Sequence, residues 1–348
     1  KIYTAENILI KNEYRQAFKN SFLILDSSYT KGYKETNDKK TSGSRNHIFA
    51  NFKHNFSEKE NSYSNLEINL EHVSNDTYLK VHDVNSQLAE SNKHILKNEL
   101  KYQYQNNEEY FGLMASAYED MDKTDRSKYE YIIPNLVYER NLISDEKIGI
   151  IDLYTSAIAK NYKVNQTTKF LVNDIGWKSR SFSSIGGIQT NLEGLLKVVT
   201  YEAENTENYK NEEFNAETYG ALAYNTSLPM FKKDLNKNRI NFLTPKISLR
   251  HAPGHMRNIH DSGLKLSYSN LFALNKNSQL DVVESGTSAA VGLEFSNLDF
   301  HNNKAGNENY SLYIGQIYNF EENFDMPSRS SLDQKVSDLV GKASIKFL

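Results

Sequence analysis

The sequence predicts an all-β fold, an antiparallel transmembrane β-barrel of many strands, on three observations. First, apolar residues recur with a period of two wherever a period is visible, as in strands with one apolar face. Second, clusters of Asn, Asp, Lys, Glu, Ser and Gly separate these segments, as turns and solvated loops do. Third, many of the 23 Tyr and 17 Phe gather near predicted strand ends, where membrane barrels carry an aromatic girdle.

Several segments show the alternation clearly. In chain order they are 66–70, 111–117, 151–159, 188–200, 289–295 and 339–347. The polar clusters between predicted strands cover 31–45, 57–64, 119–128, 202–213 and 301–309. At about twenty residues per strand with its connection, the chain predicts roughly 14–18 antiparallel strands. A large soluble β-propeller or β-sandwich also accommodates this number, so the pattern favours a membrane barrel without excluding them.

The strand predicted over 188–200 gives the most explicit assignment of faces. Because side chains alternate across a strand, its even and odd positions lie on opposite faces. The residues expected to face lipid are Ile188, Leu192, Leu196 and Val198. The residues expected to face a hydrated lumen are Gln189, Asn191, Glu193 and Lys197. Trp177 is interpreted either as a packed aromatic near a strand end or as an anchor at the membrane interface.

Composition narrows the function classes. The 348 residues carry 41 Lys and Arg against 44 Asp and Glu, so the basic excess of nucleic-acid binders is missing and no nucleic-acid partner is expected. The absence of Cys excludes disulfides, thiolate catalysis and Cys-based zinc sites. No apolar run reaches the roughly 18 residues of a membrane-spanning helix. No composition shift or linker divides the chain, so a single β-unit over 1–348 is expected.

Residues capable of chemistry are scattered. His251, His255 and His260 are the most closely spaced histidines, but Pro253 and Gly254 break the helix that a zinc site of this spacing uses. We therefore expect no metal site and no cofactor. Because Ser and His occur together, an outer-membrane lipid hydrolase is the alternative among enzymes, although no spacing marks a particular pair.

A set of short motifs occurs in a fixed order. The central stretch contains Asn270-Leu271-Phe272, then Asp281, Glu284 and Gly286, then Gly292-Leu293. Downstream are Tyr313-Ile314-Gly315-Gln316 and Ser337-Asp338-Leu339-Val340-Gly341, and upstream are Asn12-Glu13-Tyr14-Arg15-Gln16 and Asp76-Thr77-Tyr78-Leu79. In order and spacing, these motifs resemble the barrel of the LptD (OstA, Imp) family of lipopolysaccharide-assembly proteins. We expect the motif residues to be structural, with Asp281, Glu284 and Gly286 forming or flanking a strand connection.

The resemblance implies a lipopolysaccharide exit gate in the bacterial outer membrane, and not an enzyme. The glycolipid would arrive along a periplasmic Lpt bridge, its sugars would cross the hydrated lumen, and its acyl chains would leave through a lateral seam into outer-membrane lipid. An LptE-like lipoprotein would plug the lumen. The family's N-terminal periplasmic jelly-roll and its last barrel strands are expected to lie outside 1–348, so the chain corresponds to a partial barrel.

The chain departs from the family pattern in three places. The segment 257–262 replaces the family's P-N-E-D-S loop, and Lys276 stands where the family has Arg. The family's paired Cys are absent, so disulfide-controlled maturation is not implied here. A general diffusion porin stays open as a third interpretation, which predicts ion conduction without a partner.

Overall fold

Seventeen β-strands form a single sheet in the computed structural model, which describes residues 8–36, 39–56, 61–207, 209–210, 213–234, 238–277, 279–301 and 304–346. Helical structure in these ranges consists of the short helix α1 (Tyr78–Val81) and two 3₁₀ turns, Arg126–Lys128 and Arg329–Ser331. None of the described helices has the length and apolar character needed to cross a membrane.

The strands follow one another along the chain with few interruptions. In order they are β1 (Ile10–Ala17), β2 (Ser21–Thr36), β3 (Lys39–Asn55), β4 (Ser62–Val73), β5 (Ile95–Asn106), β6 (Glu109–Asp120), β7 (Tyr129–Asp145), β8 (Gly149–Tyr162), β9 (Gln166–Lys178), β10 (Phe182–Ser183), β11 (Gln189–Glu204), β12 (Asn215–Ser227), β13 (Met230–Asp234), β14 (Arg239–Ala252), β15 (Gly286–His301), β16 (Lys304–Asn319) and β17 (Val340–Ile345).

Strands that follow each other in sequence pair antiparallel, from β1–β2 through β6–β7 and from β14–β15 through β16–β17. Both β12 and β13 pair with β14. The predicted all-β, antiparallel fold class is therefore confirmed, and the strand number falls within the predicted range. Parts of the predicted loops (37–38, 57–60, 208, 211–212 and 302–303), and Phe347 of the last predicted strand, lie outside the described residues.

On β14 and β15 the two faces are inverted relative to those of a water-soluble sheet. In β14, Ile247 and Leu249 are exposed, whereas Ser248 and Arg250 are buried. In β15, Val291 is exposed and Ser288 is buried. Large aliphatic side chains normally occupy the interior of a soluble protein, and arginine is almost never fully buried unless it is paired. Apolar-out, polar-in strands are the arrangement expected of a wall surrounded by lipid.

One compact unit comprises Lys1–Arg140, Thr155–Leu171 and Thr200–Ala216. Its apolar core forms where the connection 74–94, which contains α1, covers the sheet. Tyr78 and Leu79 of α1 are fully buried there, in one cluster with Phe49 of β3 and Leu96 of β5.

The second unit comprises Asn141–Tyr154, Val172–Val199 and Glu217–Leu348. Its apolar core forms under two long connections, 253–285 between β14 and β15 and 320–339 between β16 and β17. At the opposite end of β15 and β16 the connection is short, since β15 ends at His301 and β16 begins at Lys304. Long connections at one end of the strands and short ones at the other are typical of outer-membrane barrels.

Candidate functional site

The motif residues from Asn270 to Gly341 lie in the second unit, either on β15 to β17 and the connection between β16 and β17 or in the connection 253–285, here called the covering segment. Gly292 of β15 and Gly315 of β16 are cross-strand partners. Phe272 lies over Gly292, where a Cβ atom would stand 2.7 Å from the ring Cζ, and Leu271 lies over Gly315. The two glycines therefore leave bare backbone on which the covering segment packs.

Asn270 fixes the turn that presents these two side chains. Its Oδ1 accepts a hydrogen bond from the Ser267 backbone N–H at 2.8 Å, and its Nδ2 donates to the Lys265 carbonyl at 3.0 Å. Next to the turn, the Tyr268 hydroxyl donates to the Glu294 carboxylate at 3.0 Å. Burial and this carboxylate raise the pKa of Tyr268, so its hydroxyl stays a donor. The Asn-Leu-Phe motif is thus held to β15 by packing and by hydrogen bonds.

Glu284 is the centre of a buried ion cluster. Its carboxylate lies 2.7 Å from the Lys276 ammonium and 3.6 Å from the Arg250 guanidinium. Arg250, on β14, also donates to the carbonyls of Leu274 and Glu284, each at 2.5 Å. Lys276 and Arg250 thus share the Glu284 carboxylate, and Arg250 also donates two hydrogen bonds to the backbone of the covering segment.

Burial and the neighbouring charges together set the directions of the pKa shifts of Glu284 and Lys276. Burial alone would raise the pKa of Glu284, but Lys276 and Arg250 together outweigh it, so that pKa lies below its usual value. Burial lowers the pKa of Lys276, and nearby Arg250 adds to this effect, while the single carboxylate offsets it only in part. Glu284 is consequently ionised at neutral pH.

Further ion pairs bind the covering segment to other strands. Arg257 contacts Asp281 at 3.4 Å within the segment and Glu217 of β12 at 2.8 Å. Lys197 of β11 lies 2.7 Å from the Asp174 carboxylate and donates to the Leu280 carbonyl at 2.8 Å. The covering segment is therefore attached by charged side chains to β11, β12 and β14.

The remaining motif residues define the ends of strands. Gly286, the first residue of β15, has a φ of 104°, which favours glycine strongly. Ser337 accepts from the Ile317 N–H at 2.9 Å, and Gln316 donates to the Ser337 carbonyl at 2.6 Å. Asp338 accepts from the Ser331 hydroxyl at 2.9 Å. Gly341 of β17 packs closely on the Tyr313 carbonyl of β16.

A cavity of about 490 Å³ lies between the covering segment and the connection 320–339. Arg250, Lys276 and Glu284 border it on one side, and Glu322 and Asn323 on the other. Its walls carry charges of both signs, so it is a hydrated space without a clear preference for cations or anions. Among the lining residues, the Thr287 hydroxyl lies 2.8 Å from His251 Nδ1.

On β11 and at the residue before it, the two predicted sets of side chains occupy alternate positions. Ile188, Leu192 and Leu196 are exposed, Val198 is half-buried, and Lys197 is buried. Asn191 and Glu193 are half-buried and hydrogen-bonded to each other at 3.2 Å, while Gln189 is exposed near the strand end. Which face meets lipid stays a prediction.

The histidines singled out by their spacing do not converge. His251 bonds the Thr287 hydroxyl, the His255 ring packs on Tyr219, and His260 donates to the Met326 carbonyl. Within the described ranges, no group of three or more acidic, His or Cys side chains is placed to hold a metal ion. The Trp177 indole donates to the Ile148 carbonyl at 2.9 Å, as a half-buried aromatic with a satisfied polar atom does.

The first unit contains a Ser, His and Asp arrangement that the sequence analysis missed. Ser28 Oγ lies 2.6 Å from His47 Nδ1, and His47 Nε2 lies 3.2 Å from Asp26. Ser28 and His47 are direct cross-strand partners in β2 and β3, and Asp26 shares their face two residues away. The pairing register of this hairpin was the signal that would have found them.

This arrangement lies beneath the connection 74–94. The exposed fractions of Ser28, His47 and Asp26 are 4%, 0% and 4%. The Tyr78 hydroxyl bonds Ser28 at 2.6 Å, and Ser86 donates to Asp26. The network therefore fastens the connection to the sheet, and a substrate would reach Ser28 only after the connection moved.

Comparison with known protein families identifies a match over most of the chain. The family model described as LptD, LPS transport system D, matches residues 43–348. No curated protein matches the chain.

Proposed function

The chain belongs to the LPS transport system D (LptD) family of outer-membrane proteins, which transport and assemble lipopolysaccharide, and from this membership we propose the route of the glycolipid. Its sugars and phosphates cross along the polar face of the sheet. Its acyl chains leave sideways, between two weakly paired strands, into the outer leaflet. An amphiphile needs both a hydrated path and a lateral exit, because neither of its halves is stable in the other's medium.

The family match over residues 43–348 is the observation on which this proposal depends, and the charged inner face supports it. Cross-strand ion pairs such as Lys53–Glu67 at 3.0 Å and Lys246–Glu294 at 2.5 Å lie on the polar face. Side chains of this kind keep a wall wetted and exchange contacts with sugar hydroxyls and phosphates at little cost.

Connection length supports an orientation. In outer-membrane barrels the long connections are extracellular and the short turns are periplasmic. The covering segment and the connection 320–339 would then lie at the cell surface, where the glycolipid emerges. We further propose that an LptE-like lipoprotein occupies the lumen and that a periplasmic Lpt bridge delivers the substrate.

Site-specific photo-crosslinking in living cells tests the route. A photoreactive residue at Asn191, on the polar face, should capture lipopolysaccharide, and capture should stop when delivery from the periplasm is blocked. The same residue at Leu192 is the matched control and should capture membrane lipid whether or not transport runs. Normal lipopolysaccharide at the cell surface with no adduct at Asn191 or Glu193 would contradict a path along this face.

A lipid hydrolase is the second candidate, because Ser28, His47 and Asp26 stand within hydrogen-bonding distance. Here Nδ1 faces Ser and Nε2 faces Asp, the reverse of the usual serine-hydrolase arrangement. The purified protein should be assayed for phospholipid hydrolysis alongside Ser28→Ala. Turnover that disappears in Ser28→Ala, with folding intact, would favour the hydrolase; equal background in both proteins would assign the network to holding the connection 74–94.

A further inference from the structure

The connection between β9 and β11, residues 179–188, projects a small apolar hairpin from the second unit. Ile185 is fully exposed, and Phe182 and Ile188 are exposed as well. Gly186 and Gly187 form the tip with φ values of 90° and 83°, and the Gly187 N–H donates to the Ser184 carbonyl at 3.1 Å. Packing within the second unit does not account for an apolar side chain that is fully exposed.

The base of the hairpin is fixed to the sheet. The Ser179 N–H donates to the Leu192 carbonyl at 2.9 Å, and the Leu192 N–H donates to Ser179 Oγ at 2.8 Å. β10 adds two residue pairs with β11. Gly149 packs on the backbone of Lys178 and Ser179 so closely that no Cβ atom fits there. The position of Ile185 is therefore set by a folded turn and not by a loose loop.

The exposed side chains of the hairpin continue the apolar face of the strands. Ile188, just before β11, is followed by the exposed side chains of Leu192 and Leu196, which share one face of that strand. Beside them, Trp177, Leu192, Leu222 and Leu249 line a shallow depression whose walls are almost entirely apolar. The hairpin thus extends the face proposed to contact lipid, beyond the end of β9.

The charge of the hairpin is suited to an anionic surface. Residues 179–188 contain one cation, Arg180, and no acid. The Arg180 guanidinium lies 4.9 Å from the centre of the Phe182 ring. A cation above an aromatic ring, next to an exposed aliphatic tip, is the combination that settles at the boundary between headgroup phosphates and acyl chains.

We propose that the hairpin 179–188 inserts Phe182 and Ile185 into the headgroup region of the phospholipid leaflet facing the periplasm, with Arg180 at the phosphates. The leaflet follows from the orientation proposed above, because the hairpin precedes β11 whereas the covering segment follows β14. The proposal rests on the lipid-facing assignment of Leu192 given above. A protein partner is less suited, since a hairpin of ten residues offers less surface than the roughly 1,000 Å² that a stable interface buries.

Lipid-depth quenching tests the proposal, because the chain contains no Cys and a single introduced Cys can be labelled. The full chain is folded into phosphatidylcholine vesicles containing phosphatidylglycerol, and a polarity-sensitive fluorophore is attached at one of three substitutions. Ile185→Cys reports on the tip, Leu192→Cys on the proposed lipid face and Asn191→Cys on the polar face. Spin-labelled lipids and aqueous iodide are then used as quenchers.

The proposal expects lipid quenching at 185 and 192 and iodide quenching at 191. Lipid quenching at 192 with iodide quenching at 185 would overturn the hairpin proposal and leave the lipid face intact; a protein partner for the tip would then be the alternative. Iodide quenching at both 192 and 185 would overturn the lipid face and the hairpin proposal together. Lipid quenching at 185 alone would retain insertion of the tip and overturn its continuity with the strand face.

The contribution of charge is measured in the Ile185→Cys background. Arg180→Gln should lower the fraction of inserted tips about fivefold in vesicles containing phosphatidylglycerol, the usual contribution of one basic residue at an anionic surface. It should have little effect in phosphatidylcholine alone. An Arg180→Gln effect that is equal in both vesicle types would assign Arg180 to the fold of the hairpin and contradict its role at the phosphates.

Discussion

Glu284 illustrates at the scale of one residue how the covering segment is held in place. Its carboxylate serves Lys276 and Arg250 at once, and both cations are buried. Removing the negative charge leaves two like charges close together without a counter-ion, and such a loss typically costs several kcal/mol.

We therefore predict that Glu284→Gln destabilises the folded protein by about 3 kcal/mol, the lower end of the range for breaking a buried pair. The protein should still insert, but at a lower yield. Urea unfolding from lipid vesicles, followed by Trp177 fluorescence, measures the change. Glu322→Gln is the matched control, because this acid is exposed and its replacement should alter stability by less than about 0.5 kcal/mol. Equal stability of Glu284→Gln and Glu322→Gln would refute the assignment.

The same pair of proteins should differ in acid sensitivity. Because the folded-state pKa of Glu284 is lowered, its contribution to stability is present above the ordinary Glu pKa of about 4.3 and is lost as the pH falls through the folded-state value. The stability gap between wild type and Glu284→Gln should accordingly shrink below about pH 4. Unfolding curves at a series of acid pH values check this, and a gap independent of pH would contradict it.

The sequence predicted where Asp281, Glu284 and Gly286 lie, but not which side chains they pair with. Asp281, Glu284 and Gly286 were expected to form or flank a strand connection, because they lie between the Asn270-Leu271-Phe272 motif and the strand predicted to begin near Thr287. Their partners were not foreseeable, since Arg250 lies on the preceding strand and Arg257 pairs with Glu217 of β12. Side-chain pairing across such distances depends on register and loop packing, which local alternation does not encode.

At the scale of elements, the covering segment packs on the bare backbone of Gly292 and Gly315. We predict that Gly292→Val, whose side chain would meet the Phe272 ring, displaces the segment and destabilises the protein by about 1–3 kcal/mol, as overpacking does. Protease sensitivity within 253–285, together with urea unfolding, measures both effects. Gly176→Val is the control, since no atom lies within 4 Å of a Cβ there.

Rescue separates this interpretation from a general intolerance of β15 to larger residues. Phe272→Ala in the Gly292→Val background removes the ring that Val would meet. The double variant should regain part of the stability that the single variant lost, which is the coupling expected of residues in contact. Strictly additive losses would show that Phe272 does not lie on Gly292.

The strands were predictable because alternation with a period of two is a local property of the sequence. The covering segment was not predictable, because its apolar residues follow neither the strand period of two nor the helical period of 3.6. Its structure comes from contacts with the sheet. Its buried residues, such as Leu271 and Val282, are separated by polar ones at irregular intervals. The helix α1 escaped prediction for a similar reason, since four residues are too few to show a helical period.

The assignment of faces on β11 yields a direct prediction. Leu192→Arg should impair membrane folding by roughly 2–4 kcal/mol if the residue sits near the midplane of the bilayer, whereas Asn191→Arg should be mild. The two positions are neighbours on opposite faces, so each is the other's control. Folding yield into vesicles, read from heat-modifiable migration on gels, compares them. Equal tolerance of Arg at both positions would remove the basis for a lipid face.

At the scale of the whole molecule, one antiparallel sheet contains all seventeen strands, while the packing divides into two compact units. The sheet follows from repeated local alternation. The division into two units does not follow from local alternation, because the apolar core of each unit forms around a long connection. This connection is 74–94 in the first unit and the covering segment in the second. The organisation as a single barrel segment, with the jelly-roll and last strands elsewhere, stays a prediction.

The number of strands leads to the last prediction. A closed barrel with this many strands encloses more space than its own side chains fill, and porins of 16–18 strands leave an aqueous channel. A lumen of that width would have room for a separate folded lipoprotein and would offer it a hydrated surface to bind. We predict that the complete protein, extracted from membranes in mild detergent, co-purifies with a lipoprotein in equal amounts. Loosening the covering segment with Gly292→Val should weaken that association, whereas Gly176→Val should not. A stable barrel that purifies alone and conducts ions in planar bilayers would instead favour the diffusion porin.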